Sequence, residues 1–198
     1  ALKSLQLIRK EAVRLGNTAQ LLRALFTEQV MQQEIAPDSG AVMRELIERE
    51  LAKEQRPVER ALWLNALGRL YAERTRSSWR NEDTAAVRKA HDLLLESVQQ
   101  TALLGAARTR DYTTLFQFGA DSKTTYSDDL LSVLTATLVG AYEDNYFRPI
   151  KKEELLEVLQ RNLAYYRQSG RELATLRTEL DRAGLIEPKK QEEFLRKV

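Results

Sequence analysis

Cysteine is absent from all 198 residues. Disulfides, thiolate metal sites and cysteine nucleophiles are excluded together. The compartment is not decided by this, because a secreted chain with an adequate core needs no bridges. Proline (4) and glycine (8) are sparse, so few breakers interrupt a helix. No stretch approaches the ~18 consecutive apolar residues of a membrane span. An excess of one charge is missing too. Lys and Arg total 31 against 29 Asp and Glu, a net charge of +2, far from the footprint of a dedicated nucleic-acid binder.

What is present points to helices. Apolar residues make up 43% and charged residues 30%, the balance of a folded chain rather than a disordered one. Leu (32) and Ala (22) far outnumber Val plus Ile (15), and unbranched side chains keep their rotamer freedom in a helix. The length fits one domain, or at most two small ones. The chain opens Ala1-Leu2-Lys3-Ser4 with neither Met nor an apolar signal segment, and is expected to be a fragment of something longer.

Periodicity divides the chain into about eight helices. Leu5, Ile8, Ala12 and Leu15 form one stripe that stops at Gly16. Asn17 or Thr18 can cap the next helix, whose expected inner face is Leu22, Leu25, Phe26 and Val30. After the break at Ala36-Pro37-Asp38-Ser39-Gly40, a third helix carries Met43, Ile47 and Leu51. Pro57 opens a fourth, with Ala61, Leu64, Leu67, Gly68, Tyr71 and Ala72 facing inward. These two pairs, 2–34 and 39–76, begin roughly 37 residues apart, close to a helical-repeat period. Leu64-x2-Leu67-Gly68-x2-Tyr71 echoes a tetratricopeptide unit, but the echo fails at Arg80 and Thr84.

Further helices are predicted near 83–104 (Val87, Ala90, Leu94, Val98), 128–144 (Leu131, Leu134, Leu138), 151–168 (Leu155, Leu156, Leu159, Leu163) and 170–184 (Leu173, Leu176, Leu180). Ser127 is expected to start the 128–144 helix, placing Asp128 and Asp129 in its first turn. An irregular aromatic loop falls near 105–127, and residues 188–198 read as a charged tail or a linker. The expected fold is all-α: a single domain over 1–187, built of antiparallel α-hairpins in a bundle or short tetratricopeptide-like stack.

Candidate chemistry is thin. His91 is the one histidine. It borders the apolar face of its helix beside Val87, Leu94 and Leu95, and reads as a packing or hydrogen-bonded core residue rather than a general acid or base. Asp128-Asp129 lacks the third acid of a diphosphate-binding pattern, since position 132 is Ser132, and capping explains it better. Asp121-Ser122-Lys123 is a triplet that any loop produces by chance. Gly119 and Gly140 sit in no phosphate-binding pattern. Arg74, Arg76 and Arg80 with Trp79 could stack on a nucleic-acid strand, but Glu73, Glu82 and Asp83 interrupt the field. Tyr112, Phe116, Phe118 and Tyr126 gather four of the 14 aromatic residues into one segment. That segment either plugs the end of the stack or forms a partner-contact loop.

Three stretches carry a family resemblance. They are Asn17-x2-Gln20-x2-Arg23-Ala24; Pro57-Val58-Glu59-Arg60-Ala61-Leu62 with Leu67-x2-Leu70-Tyr71-Ala72; and Asp111-Tyr112 through Phe116, Gly119 and Ser122 to Asp129-Leu130-x3-Leu134. Together they resemble the helical N-terminal region of the large bacterial alpha-2-macroglobulin-like proteins of the cell envelope, over about residues 1 to 185. Such proteins are similar to protease-trapping inhibitors, in which a bait segment is cut and, in many members, a Cys-Gln thioester captures the attacker. This stretch contains no Cys and hence no thioester, and no strand-rich macroglobulin module is visible in it. The resemblance implies a periplasmic or outer-envelope location and brings no active residues with it.

The expectation is a non-catalytic module without cofactor or metal, acting as scaffold or protein-docking surface. Its partners would be other domains of a longer chain or a separate protein, with neither nucleic acid nor a membrane span involved. The alternatives are a free-standing helical-repeat adaptor holding a peptide, and an enzyme using Asp121, Asp129 or His91.

Overall fold

The structure is a computed structural model that describes residues 2–33, 39–77, 84–115, 128–143 and 152–185. Those residues form nine α-helices: α1 (Leu2–Arg14), α2 (Thr18–Gln33), α3 (Ser39–Lys53), α4 (Pro57–Ser77), α5 (Thr84–Ser97), α6 (Thr101–Ala106), α7 (Leu130–Glu143), α8 (Glu153–Gln168) and α9 (Glu172–Leu185). One 3-10 turn, Thr109–Tyr112, lies between α6 and α7. No strand occurs among the described residues, only an isolated antiparallel bridge between Arg108 and Asp129. The fold is all-α, as the periodicity predicts.

Neighbours in sequence are neighbours in space. α1 packs on α2, α3 on α4, α4 on α5 and α8 on α9, while α7 touches α4, α5, α6 and α8. One contiguous hydrophobic cluster runs from Ala12 on α1 to Tyr166 on α8. The inward faces read for α4, α5 and α7 are correct: Leu64, Leu67, Val87, Ala90, Leu94, Val98, Leu131, Leu134 and Leu138 are all buried. Gly68 explains the close fit of α4 on α5. A Cβ added there would lie 2.7 Å from Leu94 Cγ and 3.2 Å from the Ala90 carbonyl, too near for any side chain.

Polar ties hold the corners. Asn17, not Thr18, caps α2, accepting the Gln20 backbone N–H at 3.0 Å. Thr18 Oγ1 instead accepts from Arg56, which also donates to the Gly16 carbonyl and to Glu54. The Arg56 guanidinium holds the Glu54 carboxyl down to about 2, and the network joins the α1–α2 corner to the α3–α4 corner. On the far side of α4, Lys89 and Tyr71 both donate to Glu48 Oε1, at 2.7 and 2.9 Å.

Several boundaries differ from expectation. The helix expected over 83–104 is divided, α5 ending at Ser97 and α6 starting at Thr101; at the break Arg161 of α8 donates to the Val98 carbonyl at 3.0 Å and Ser97 Oγ to the Leu94 carbonyl at 2.7 Å. Arg161 thereby satisfies a carbonyl that the turn leaves without an intrahelical partner. α7 begins at Leu130 rather than Ser127. α9 runs past Gly184 to Leu185. Gly170 separates α8 from α9 as expected, at φ +66°, with Arg171 N–H closing on the Tyr166 carbonyl in a C-terminal helix cap that needs a left-handed residue.

Two expected faces are corrected outright. On α1 only Ala12 is buried, and Ile8 and Leu15 lie on the surface; Val30 of α2 is exposed as well. On α9 the whole predicted stripe points outward, with Leu173 63%, Leu176 50% and Leu180 52% exposed, while Thr178, Glu179 and Ala183 are buried. Among the described helices α1 packs chiefly on α2 and α9 on α8. The expected tail at 188–198 and most of the aromatic loop lie outside the described residues.

Candidate functional site

The residues singled out for chemistry are distributed through the fold rather than assembled. His91 on α5 is completely buried, its Nε2 2.6 Å from the Tyr142 hydroxyl of α7, with the two rings edge-on at 71°. Its Nδ1 stands 3.6 Å from carboxylate oxygens of Asp92 and Glu154. Burial lowers the His91 pKa, against the opposing pull of Glu154 and Asp92. Burial likewise raises the Tyr142 phenol far above its ordinary value. A buried neutral imidazole tied to a phenol that stays protonated is a packing device, in agreement with the core reading of His91.

The sign of its pH effect follows. The folded-state pKa lies below the unfolded value of about 6.5, so its stabilising contribution is fully present above pH ~6.5 and lost as pH falls below it. The unfolding free energy is therefore expected to decline from pH 7 to pH 5, with a slope from this group of at most about 1.4 kcal/mol per pH unit. Urea titrations of wild type and His91→Gln should differ in slope over that interval. Parallel curves would show that His91 does not carry the dependence.

Asp129 caps α7 from outside the helix and is 1% exposed. Its Oδ1 accepts the Ser132 backbone N–H at 2.8 Å, the Ser132 hydroxyl at 3.0 Å and the Tyr166 hydroxyl at 3.1 Å. Its Oδ2 pairs with Arg171, in the turn between α8 and α9. Burial first, and the Asp129 charge second, push the Tyr166 phenol up. Asp128 is exposed, and its carbonyl accepts the Thr109 backbone N–H at 3.1 Å. The pair thus divides into one buried cap and one surface residue, and neither lies in the first turn of α7 where both were expected. The structure does not bring Asp129 and His91 together. Asp129 sits at the start of α7 and the His91 partner Tyr142 near its end, 13 residues or about 20 Å along the axis. Among the described residues no group of three or more His, Cys, Asp or Glu could hold a metal ion. Asp121-Ser122-Lys123 lies outside the described residues.

Of the four aromatic residues, Tyr112 is half-buried against the core, and burial raises its phenol pKa. Phe116, Phe118 and Tyr126 lie outside the described residues, as do Trp79, Arg80 and the side chains of Arg74 and Arg76. Beside Tyr112, the Thr114 carbonyl accepts from Arg23 of α2 at 3.0 Å. A cleft of about 440 Å³ opens there between α2, α4 and α7. Its floor is Leu22, Leu62, Ala66 and Leu134, with Arg23, Thr27 and Arg69 around it. The buried Asn65 also lines it and donates to Ser97 Oγ and to the Leu134 carbonyl.

The surface that sequence reasoning missed is the outer face of α9. The helix packs on α8, where Glu179, 4% exposed, pairs with Arg167 of α8 and with Arg182 of its own helix. The side turned inward carries this ion pair together with Thr178 and Ala183, while Ala174 and Leu185 pack against the core. The one hint in the sequence is Glu179 at position i+12 from Arg167, and hydrophobic spacing does not weigh such a pair. No described helix is long and apolar enough to cross a membrane. Compared with family models, curated proteins and solved structures, the chain matches none.

Proposed function

We propose that this chain is a non-catalytic helical module that docks other protein through its surface, with the outer face of α9 as the contact. The observation that carries this is the inverted helix itself. Three leucines at helical spacing stand open to solvent on an element whose polar side is spent on its own core. Contiguous apolar surface presented by a well-anchored helix is the mark of a protein contact.

The wider setting we propose is the helical N-terminal region of a macroglobulin-like protease-inhibitor protein of the periplasm or outer envelope, where the module serves as scaffold between other domains. Support for that kinship is the sequence resemblance, whose motif residues have structural work here. Asn17 caps α2, Asp129 caps α7, and Ala61, Leu62, Leu67, Leu70 and Ala72 are core. A second reading, a peptide-holding adaptor, draws on the cleft between α2, α4 and α7.

The test is a photoreactive residue at position 176, carried by the full-length protein in its host. Cross-links to polypeptide are expected there, and none from the same group at the exposed Glu157 of α8. Silence at 176, with cross-links from Arg69 at the cleft, transfers the role to the adaptor reading. Leu176→Glu should change unfolding free energy by less than about 0.5 kcal/mol, so any lost cross-link reports the surface and not the fold.

A further inference from the structure

We infer that the outer face of α9 pairs with α9 of a second copy of this chain, as a parallel two-stranded seam. The inference rests on the docking role just given to that face and names its partner. Leu173, Leu176 and Leu180 are spaced three and then four apart, the a–d–a pattern by which two helices interlock knobs into holes. In that register Glu172 occupies the g position before the first leucine and Arg177 the e position after the second. Both are exposed.

Charge then selects orientation. In a parallel pair, a g residue faces the e residue five places on in the other helix. Glu172 therefore meets Arg177 of the partner subunit, twice by symmetry. An antiparallel pair would set arginine against arginine and glutamate against glutamate, repulsive on both flanks. Arg177 Nε is already 2.9 Å from Asp181 Oδ1, but a guanidinium carries four further N–H donors. The helix is already formed and packed on α8, with Glu179 on Arg167, so pairing bears no cost of helix nucleation. The seam is short. Ala183, at the next d position, is buried within its own chain, so three leucines a side give a weak, reversible association.

The absence of cysteine makes the test clean. Single Leu173→Cys, Leu176→Cys and Leu180→Cys variants of the 198-residue chain are oxidised, and each is expected to yield a disulfide-linked dimer, because parallel pairing sets like positions side by side. Sedimentation velocity from about 5 to about 500 µM should show a reversible dimer. Leu176→Glu should abolish it, and Glu172→Arg or Arg177→Glu alone should each weaken it about tenfold, with circular dichroism unchanged. The double exchange, Glu172→Arg with Arg177→Glu, should restore it. A chain monomeric throughout that range overturns the inference, as does cross-linking at 176 without cross-linking at 173. A monomer that still cross-links from 176 to another polypeptide in the host removes self-pairing and leaves the docking function standing. A monomer with no such cross-link removes both.

Discussion

Leu67→Ala is expected to lower the unfolding free energy by about 3–4 kcal/mol, and Leu134→Ala by about 2–3 kcal/mol. Both side chains are almost wholly buried, at 1% and 2% exposure. Leu67 lies in the middle of α4, flanked by Ala66 and Leu70 in the same core cluster, so its removal leaves a void with nothing to fill it. Leu134 lies on the floor of the cleft between α2, α4 and α7. Neighbours and water can enter the space it vacates, which puts it at the lower end of the range. Equilibrium urea denaturation at constant m-value measures both. Losses below about 0.5 kcal/mol at both sites would mean that the buried faces of α4 and α7 are misassigned.

The second large effect is expected at Asp129. Asp129→Ala removes the acceptor for Ser132, Tyr166 and Arg171 at once. It deletes the cap of α7 and leaves a largely buried guanidinium without its counter-charge. The expected cost is about 3 kcal/mol, from breaking a buried pair and losing an N-cap together. Asp129→Asn keeps an oxygen for the cap but turns an amide N–H toward Arg171 in place of Oδ2, and should cost less than the Ala variant by the worth of the cap, roughly 1 kcal/mol. A double-mutant cycle with Arg171→Ala isolates the pair. If Asp129→Ala and Asp129→Asn are equally harmless, the cluster is ornament to the fold and the α7–α8–α9 junction is held by apolar contact alone.

Much of this architecture can be read from residue order. Pro57 at the first turn of α4, Gly170 between α8 and α9 and Asn17 before α2 act on their own few neighbours, so they work in the fold much as they do on paper. The inner faces of α4, α5 and α7 are legible for another reason. These helices have neighbours on several sides, and an apolar stripe in the middle of a stack is buried whichever neighbour covers it. The core role of His91 was legible from its place beside Val87 and Leu94, although its hydroxyl partner Tyr142, 51 residues on, was not.

The candidate docking face was illegible for the converse reason. On α9 the period-3.6 pattern is as clean as on α7, yet the leucines point outward, because periodicity locates a stripe without saying that anything lies opposite it. The division at Val98 was hidden as well, since the arginine that satisfies its free carbonyl lies 63 residues further along.

By itself the amino-acid order determined the helical class, most of the helix boundaries and the core faces of the central helices, since these depend on interactions within a turn or two of the chain. Only the tertiary structure decided the break between α5 and α6, the assembly of Asp129 with Tyr166 and Arg171, and the outward turn of α9. Each of those depends on groups far apart in the chain, which the spacing of apolar residues within one helix does not register.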